Sequence, residues 1–201
     1  LTSCYKQLEL MSTYLHVLRC WGLPISSALI FFLTGASSVR AESVTITNYG
    51  HSSLLIEGGG QSILLNPFKA VGCAAGLTEP RVKADIILAS SLLADEGARI
   101  ATGKFLVKPG SYRINGLKVE GFAAPHDRIN GRRFGQSTIW RWEQEGLQFA
   151  HLGGTAAKLT VANKILIGHP DVLIIGVGGG SKVYKGIEAA AIANEIQAKR
   201  V

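Results

Sequence analysis

Two adjacent carboxylates and one histidine are the side chains of this sequence best suited to chemistry. Asp95 and Glu96 lie in the loop after the apolar run 86–89, and His126 lies in a later loop. Such a run is typical of a strand buried on both faces, and sites are commonly built where the chain leaves the carboxyl end of a strand. The three side chains could form a weak site for a divalent ion, below the ligand set usual for catalytic zinc. A loop histidine hydrogen-bonded to a carboxylate is the alternative, and it is favoured.

The elements that must position these residues are mostly strands. Alternation, apolar runs and turn residues predict strands at 44–49, 52–57, 62–65, 86–89, 104–107, 112–114, 117–122, 137–142, 147–152 and 172–177. Helices are predicted from a cap at Thr160 to about Ile167, and over residues 186–199. One face of the second helix is apolar, at Ala189, Ile192, Ala193 and Ile196. Strands in runs, then helices, predict sheets covered on their outer faces.

From about Val44 onward the sequence resembles the metallo-β-lactamase superfamily, in particular its small Zn-dependent hydrolases similar to ascorbate-phosphate lactonases. The landmarks are the segments 44–57, 63–68, 84–88, 115–119, 125–126, 151–154 and 171–179. The resemblance implies an α/β (α+β) fold, a four-layer αβ/βα sandwich formed by residues 42–201. A further strand with a metal-binding histidine follows the last helix in that family, so we expect this domain to lack its C-terminal strand.

The resemblance also shows where the metal motif has changed. In the family the loop after the buried strand reads S/T-H-x-H-x-D-H and binds one or two zinc ions. The three histidine positions carry Ser91, Leu93 and Glu96 here, and Asp95 alone matches. The bridging aspartate of the family's Gly-Asp motif is Gly154, and the aspartate of its Asp-Pro motif is Asn66. Serine and leucine cannot replace imidazoles around tetrahedral zinc, so the motif is degenerate.

His51, His126 and His151 are interpreted one by one. His51 matches a histidine that the family places near its pocket, and the alternative is a strand-end histidine bonded to the backbone. His126 matches a ligand position. His151 precedes Gly153-Gly154 and is predicted to be a strand residue. The resulting site hypothesis has His51 and Asp95 as catalytic residues and His126, Asp95 and Glu96 as metal ligands, with no cofactor or with a weakly bound divalent zinc or manganese ion.

The first 41 residues are predicted to lie outside the domain. Residues 1–10 look like sequence upstream of the start at Met11. Residues 11–41 resemble an export signal, with Arg19 before the apolar run 23–33 and small residues ending at Ala41. The run is shorter than the roughly 20 residues of a membrane span. We therefore expect cleavage after Ala41, no stable membrane span, and export to the periplasm or another extracytoplasmic compartment.

The composition and the distribution of basic residues bear on the class of partner. The chain has 201 residues, of which 47% are hydrophobic and 17% charged, with a net charge of +7. That composition fits one globular domain. The basic residues are scattered apart from a group at 128–133 without an aromatic platform, which excludes nucleic acid as the expected partner. Cys73 would be the only cysteine left after cleavage, and we predict a small buried hydrophobe there rather than a reactive thiol.

Three functional hypotheses follow from these observations. The first is an exported metallo-β-lactamase-fold protein that is weakly active or non-catalytic and keeps its pocket for a small-molecule ligand. The second is an active metal-dependent hydrolase with a reduced set of Asp95, Glu96, Asn66 and His126 around an ion such as Mn²⁺, which would activate water while His51 shuttles a proton. The third is a gene fragment without a function of its own.

Overall fold

The computed structural model describes residues 43–201. The predicted upstream extension and export signal, residues 1–41, lie outside this range. Among the described residues, no helix is long and apolar enough to cross a membrane.

The first sheet contains five strands that follow one another in chain order. They are β1 (Thr45–Gly50), β2 (Ser53–Gly58), β3 (Gln61–Leu65), β4 (Lys83–Leu88) and β5 (Thr102–Leu106). The pairs β1/β2 and β2/β3 are antiparallel, whereas β3/β4 and β4/β5 are parallel. Because β3, β4 and β5 run in the same direction, their carboxyl ends meet at one edge of the sheet. The loops that leave β3 and β4 carry Asn66, Asp95 and Glu96 of the candidate site.

The second sheet contains the other five strands in the order β10-β9-β8-β7-β6. They are β6 (Gly110–Ile114), β7 (Leu117–Pro125), β8 (Gln136–Gln144), β9 (Leu147–His151) and β10 (Val172–Ile174). Their pairing is antiparallel except for β9/β10, which is parallel. Asn115 and Gly116 form the predicted tight turn between β6 and β7, both with positive φ.

The two sheets pack face to face over a shared apolar core. Its buried members are Ile56, Ile63, Leu65, Ile86, Leu88 and Leu106 from the first sheet and Val119, Trp140, Trp142 and Phe149 from the second. The rings of Trp142 and Phe149 are stacked, with centroids 5.0 Å apart. The Trp140 indole N–H donates to the Ala89 carbonyl at 3.0 Å, which ties the second sheet to the end of β4. The predicted two-sided burial of 86–89 is confirmed, since all four side chains are buried.

Two α-helices cover the other face of the second sheet. They are α1 (Val161–Ile167) and α2 (Gly186–Glu195). Ile167, Ala189, Ala193 and Ile196 join Ile139, Ala150 and Leu173 of the sheet in a second cluster. The predicted cap at Thr160 is confirmed, because its hydroxyl accepts from the Asn163 N–H at 3.0 Å. The predicted α+β sandwich of the metallo-β-lactamase type is confirmed.

Several predicted boundaries were wrong: β4, β5 and β6 begin two or three residues earlier than predicted, and β7 and β8 end two or three residues later. Two further differences have a local reason. The strand predicted over 172–177 ends at Ile174, where a glycine-rich segment with positive φ at Gly179 and Gly180 begins. Helix α2 ends at Glu195 rather than at 199, because Gln197 has φ +55° and turns the chain. Beyond that turn, Arg200 makes a parallel bridge to Val172, beside β10.

Candidate functional site

The loop after β4 is fastened to the end of β3 by Asn66. This residue is fully buried and has φ +39°, a conformation that asparagine tolerates better than most residues. Its side-chain oxygen accepts from the Ser90 N–H at 2.7 Å, and its amide group lies 3.4 Å from the Ser52 hydroxyl. Asn66 therefore shapes the loop that carries Ser91, Asp95 and Glu96.

A direct contact between Glu96 and His126 occupies the centre of the site. Glu96 is 4% exposed and His126 is fully buried. His126 Nε2 bonds to Glu96 Oε1, and the Ser91 hydroxyl donates to the same oxygen at 2.7 Å. Burial raises the pKa of the Glu96 carboxyl, but the hydrogen bond and charge of His126 and the bond from Ser91 outweigh it and hold that pKa below its ordinary value. Glu96 is therefore a carboxylate at neutral pH.

Gly154 makes room for this pair. A Cβ placed at Gly154 would lie 2.5 Å from Glu96 Oε2 and 2.7 Å from His126 Cε1, which is well inside the normal separation of nonbonded atoms. Any side chain at this position, including the aspartate that the family resemblance leads us to expect, would displace Glu96 or His126. The residues at 96 and 154 are therefore sterically complementary.

Asp95 is bonded to a lysine rather than to the Glu96–His126 pair. Lys182, in the connection between β10 and α2, donates from Nζ to Asp95 Oδ2 at 2.7 Å. Burial raises the pKa of the Asp95 carboxyl, but the hydrogen bond and charge of Lys182 dominate and leave that pKa below its usual value. The charge of Asp95 is balanced within the protein.

The loop that carries His126 is organised by Asp127. Its carboxylate, 1% exposed, accepts four backbone N–H groups at 2.8–3.0 Å, those of Ile129, Gly131, Arg133 and Phe134. Burial raises the pKa of Asp127, but these four donors hold that pKa below its usual value. Backbone bonds from His126 N–H to Gly135 and from Ala156 N–H to the His126 carbonyl, both 3.0 Å, complete the support. The position of His126 is thus set by its own loop.

A cavity of about 610 Å³ opens beside the Glu96–His126 pair. Its apolar walls include Leu54, Ile174, Ile175, Val177 and Val183, and its polar lining includes Asn48, His51, Ser52, Cys73, Glu96, His151 and Lys182, together with glycines of the segment 176–180. The volume lies within the range of about 300–1,000 Å³ that is typical of small-molecule sites.

Two histidines on the cavity wall differ sharply in environment. His51 is exposed, has φ +51°, and meets the Phe68 ring edge-on with centroids 5.8 Å apart. His151 ends β9, as predicted for a strand residue, and is 3% exposed. Burial lowers the pKa of His151 to about 4, with a smaller opposing effect from Glu96. His151 is therefore uncharged at neutral pH, and its Nδ1 has no hydrogen-bond partner among the described residues.

The predicted site residues therefore fall into two groups. Glu96 and His126 meet, and His51 lines the same cavity as Glu96, whereas Asp95 is bonded to Lys182. The prediction that Cys73 is a buried hydrophobe was wrong: it is exposed, on the short 3-10 helix Gly72–Ala74, and contributes to the cavity wall. On the same helix Ala74 is buried, whereas the neighbouring Cys73 side chain faces the cavity.

Sequence reasoning missed Lys182 and the steric role of Gly154. The one signal for Lys182 was its place at the end of the glycine-rich segment 176–180, because such segments let backbone approach a site closely. The family resemblance identifies Gly154 as the loss of a ligand, but the glycine also creates the space that Glu96 fills.

Comparisons with known proteins identify the family and the fold. The family described as the beta-lactamase superfamily domain matches residues 45–201. No curated protein matches the chain. A solved structure of a candidate Zn-dependent hydrolase of the metallo-beta-lactamase superfamily from Thermotoga maritima is 29% identical, with a TM-score of 0.61 over 78% of this chain and 72% of that chain.

Two more distant structures share the fold. A candidate metal-dependent hydrolase from Parabacteroides distasonis is 19% identical, with a TM-score of 0.59 over 79% of this chain and 80% of that chain. A metallo hydrolase from the archaeon Ignicoccus hospitalis is 18% identical, with a TM-score of 0.53 over 78% of this chain and 79% of that chain. Since the family match takes in most of its length, this chain belongs to the metallo-β-lactamase superfamily, whose solved relatives include metal-dependent hydrolases.

Proposed function

We propose that this protein is a metallo-β-lactamase-fold binding protein that is weakly active or non-catalytic and uses its cavity to hold a small molecule. The observation that carries the proposal is the direct bond between Glu96 and His126, in the space left free by Gly154. A buried carboxylate–imidazole pair stands where the superfamily resemblance leads us to expect a metal centre.

The residues present do not fit the zinc centre of the family. Catalytic zinc usually has three protein ligands with free lone pairs directed at one point. Here His126 Nε2 and Glu96 Oε1 are bonded to each other, and Asp95 is bonded to Lys182. Within residues 43–201, no three His, Cys, Asp or Glu side chains are grouped so that they could hold one ion. The contacts of these side chains support a site held together by hydrogen bonds rather than by a metal ion.

The reduced-ligand hydrolase is the competing hypothesis, and the contacts of its members weigh against it. It needs the oxygens of Asn66 and Asp95 beside those of Glu96 and the His126 ring. The Asn66 oxygen instead accepts from Ser90 N–H, and Asp95 is neutralised by a lysine. Directing these atoms at one ion would disturb three contacts, Ser90 with Asn66, Lys182 with Asp95 and His126 with Glu96. It would also leave the Lys182 ammonium, 20% exposed, without its partner.

A hydrolysis assay tests the proposal. The purified chain is incubated with p-nitrophenyl acetate, an N-acyl lactone and bis-p-nitrophenyl phosphate, with and without added Zn²⁺ or Mn²⁺. We expect rates at background that neither ion raises. His126→Ala is the test variant, and His169→Ala is a matched control because His169 bonds to Ile196 outside the cavity. A metal-dependent rate that His126→Ala abolishes and His169→Ala preserves would establish the hydrolase instead.

We also propose that the protein acts outside the cytoplasm. The support is the pattern of residues 11–41, in which a basic residue precedes a short apolar run and small residues end at Ala41. In this proposal, cleavage releases the domain from Glu42 onward.

A further inference from the structure

Four strands lie at the outer edges of the two sheets, and their edges differ in how they are protected. The strands are β1 and β5 in the first sheet and β6 and β10 in the second. The outer side of β10 is covered by the bridge from Arg200 to Val172. β5 carries Lys104 and β6 carries Arg113, both exposed. Charged side chains on an edge strand oppose pairing with a further strand.

Strand β1 has none of these protections. Its six residues, Thr45–Gly50, include no charged residue and no proline. Its first four residues are exposed, and three of them are β-branched, which favours extended backbone. Within residues 43–201, β2 is the only strand that pairs with β1, and the one irregularity of their ladder lies near the end of β1, between Asn48 and Gly50. β1 therefore presents a regular, uncharged edge.

The backbone groups on the free side of β1 belong to every second residue, beginning at Ile46. The Ser62 N–H of β3 donates to the Asp85 side chain on β4 at 2.8 Å, so it points away from β2. Ser62 lies opposite Glu57, and Glu57 lies opposite Thr45. Because bonded pairs alternate along an antiparallel ladder, Glu57 bonds to Thr45, and Ile46 directs its N–H and C=O outward.

The Ile46 side chain adds apolar surface to this edge. Ile46 is 45% exposed. It lies opposite Ile56, which is fully buried in the core between the two sheets. Ile46 is thus on the inner face of the sheet, at its uncovered rim. A further strand that set an apolar side chain beside Ile46 would remove this surface from water, which is favourable.

We propose that β1 pairs with β1 of a second copy of this chain, antiparallel, about a two-fold axis at Ile46. This register sets the two Ile46 side chains opposite each other and Thr45 opposite Thr47 of the second copy. Cross-strand pairs of apolar side chains and of threonines both stabilise a sheet. The five-stranded first sheets of the two copies then form one continuous sheet.

Charge favours a second copy at this edge over the other exposed edges. The chain has a net charge of +7, so two copies repel each other in general. Self-pairing of β5 or β6 would bring Lys104 or Arg113 close to the same residue of the second copy, and like charges across a strand pair are destabilising. At β1 no charged side chain of the strand meets its copy.

Sedimentation velocity of the full chain over the micromolar to millimolar range tests the inference. A contact through one strand is small, and interfaces below about 1,200 Å² are typically weak. We therefore expect a reversible shift from monomer to dimer as the concentration rises. A chain that stays monomeric over the whole range would overturn the inference.

Two variants with the same change of side chain locate the contact. Ile46→Lys sets two ammonium groups opposite each other, and the change enters twice in the dimer, so we expect the dissociation constant to rise at least about tenfold. Ile165→Lys is the control, because Ile165 is 72% exposed on α1; its dissociation constant should match that of the parent. Equal effects of the two variants would refute the assignment to β1.

Amide hydrogen exchange followed by NMR tests the register without any variant. In the dimer the Ile46 and Asn48 N–H groups donate to the second copy, so their exchange should slow as the chain concentration rises. The Thr45 and Thr47 N–H groups point towards β2 in monomer and dimer alike, so their exchange should change less. A dimer that forms without slower exchange at Ile46 and Asn48 would contradict pairing through β1.

Discussion

Replacing Gly154 by alanine should destabilise the protein far more than one methyl group ordinarily does. The new Cβ would lie 2.5 Å from Glu96 Oε2 and 2.7 Å from His126 Cε1. The Glu96 carboxylate ends a flexible side chain, but it is buried and held by Ser91 and His126. It cannot withdraw without breaking those bonds.

The expected cost follows from the contacts involved. Overpacking a well-filled site costs about 1–3 kcal/mol. A hydrogen bond to a charged group contributes about 1.5–3 kcal/mol, and Glu96 has two that its displacement would weaken. We therefore expect Gly154→Ala to lower the free energy of unfolding by about 2–4 kcal/mol. Positive φ does not confound this value, because Gly154 is not among the left-handed glycines.

Urea denaturation followed by fluorescence measures this loss. Gly186→Ala is the control, because Gly186 opens α2, has no atom within 4 Å of its added Cβ and lacks positive φ; it should be neutral or slightly stabilising. In a double-mutant cycle, Glu96→Ala should relieve the clash and make the cost of Gly154→Ala smaller by about 1 kcal/mol or more. Additive losses within about 0.5 kcal/mol would refute the steric complementarity of residues 96 and 154.

Three further predictions concern pH, capping and export. Because burial lowers the pKa of His151 to about 4, its neutral form is favoured in the fold, so stability should be full above about pH 6.5 and should fall by up to about 3 kcal/mol as the pH drops towards 4. His151→Phe should flatten that slope in urea titrations, and an unchanged slope would contradict the assignment. Thr160→Ala removes the cap of α1 and should cost about 1 kcal/mol, while Thr160→Ser should cost little; equal losses in the two would argue against capping. Expressed with residues 11–41, the protein should be recovered outside the cytoplasm with Glu42 at its N-terminus, as read by Edman sequencing, and an uncleaved membrane-bound form would refute export.

The fold was predictable because its determinants are local. The run Ile86 to Leu88 is apolar at every position, since β4 is buried on both faces. Ala189, Ile192, Ala193 and Ile196 follow the period of a helix and pack on the second sheet. In each case the side-chain pattern along a few residues decides both the element and the face that it buries.

The candidate site was only partly predictable because its decisive contacts are distant in sequence. Glu96 and His126 are separated by 30 residues, and Asp95 and Lys182 by 87. The family resemblance puts a carboxylate and an imidazole in one site, but it cannot tell a pair bridged by an ion from a pair in direct contact. That distinction depends on the space at Gly154, which only the three-dimensional packing of three loops reveals. Cys73 was misjudged for a similar reason, because burial of a loop residue depends on what packs over the loop.

Zinc content tests the central claim most directly. Structural zinc with four good ligands is worth about 10–16 kcal/mol, and a site whose imidazole and carboxylate are bonded to each other should retain little of that. For the full chain purified without added metal, we predict well under one zinc ion per chain by mass spectrometry, and the same melting temperature with and without EDTA. Stoichiometric zinc, removed by EDTA with a fall in melting temperature and absent from His126→Ala, would contradict the metal-free account.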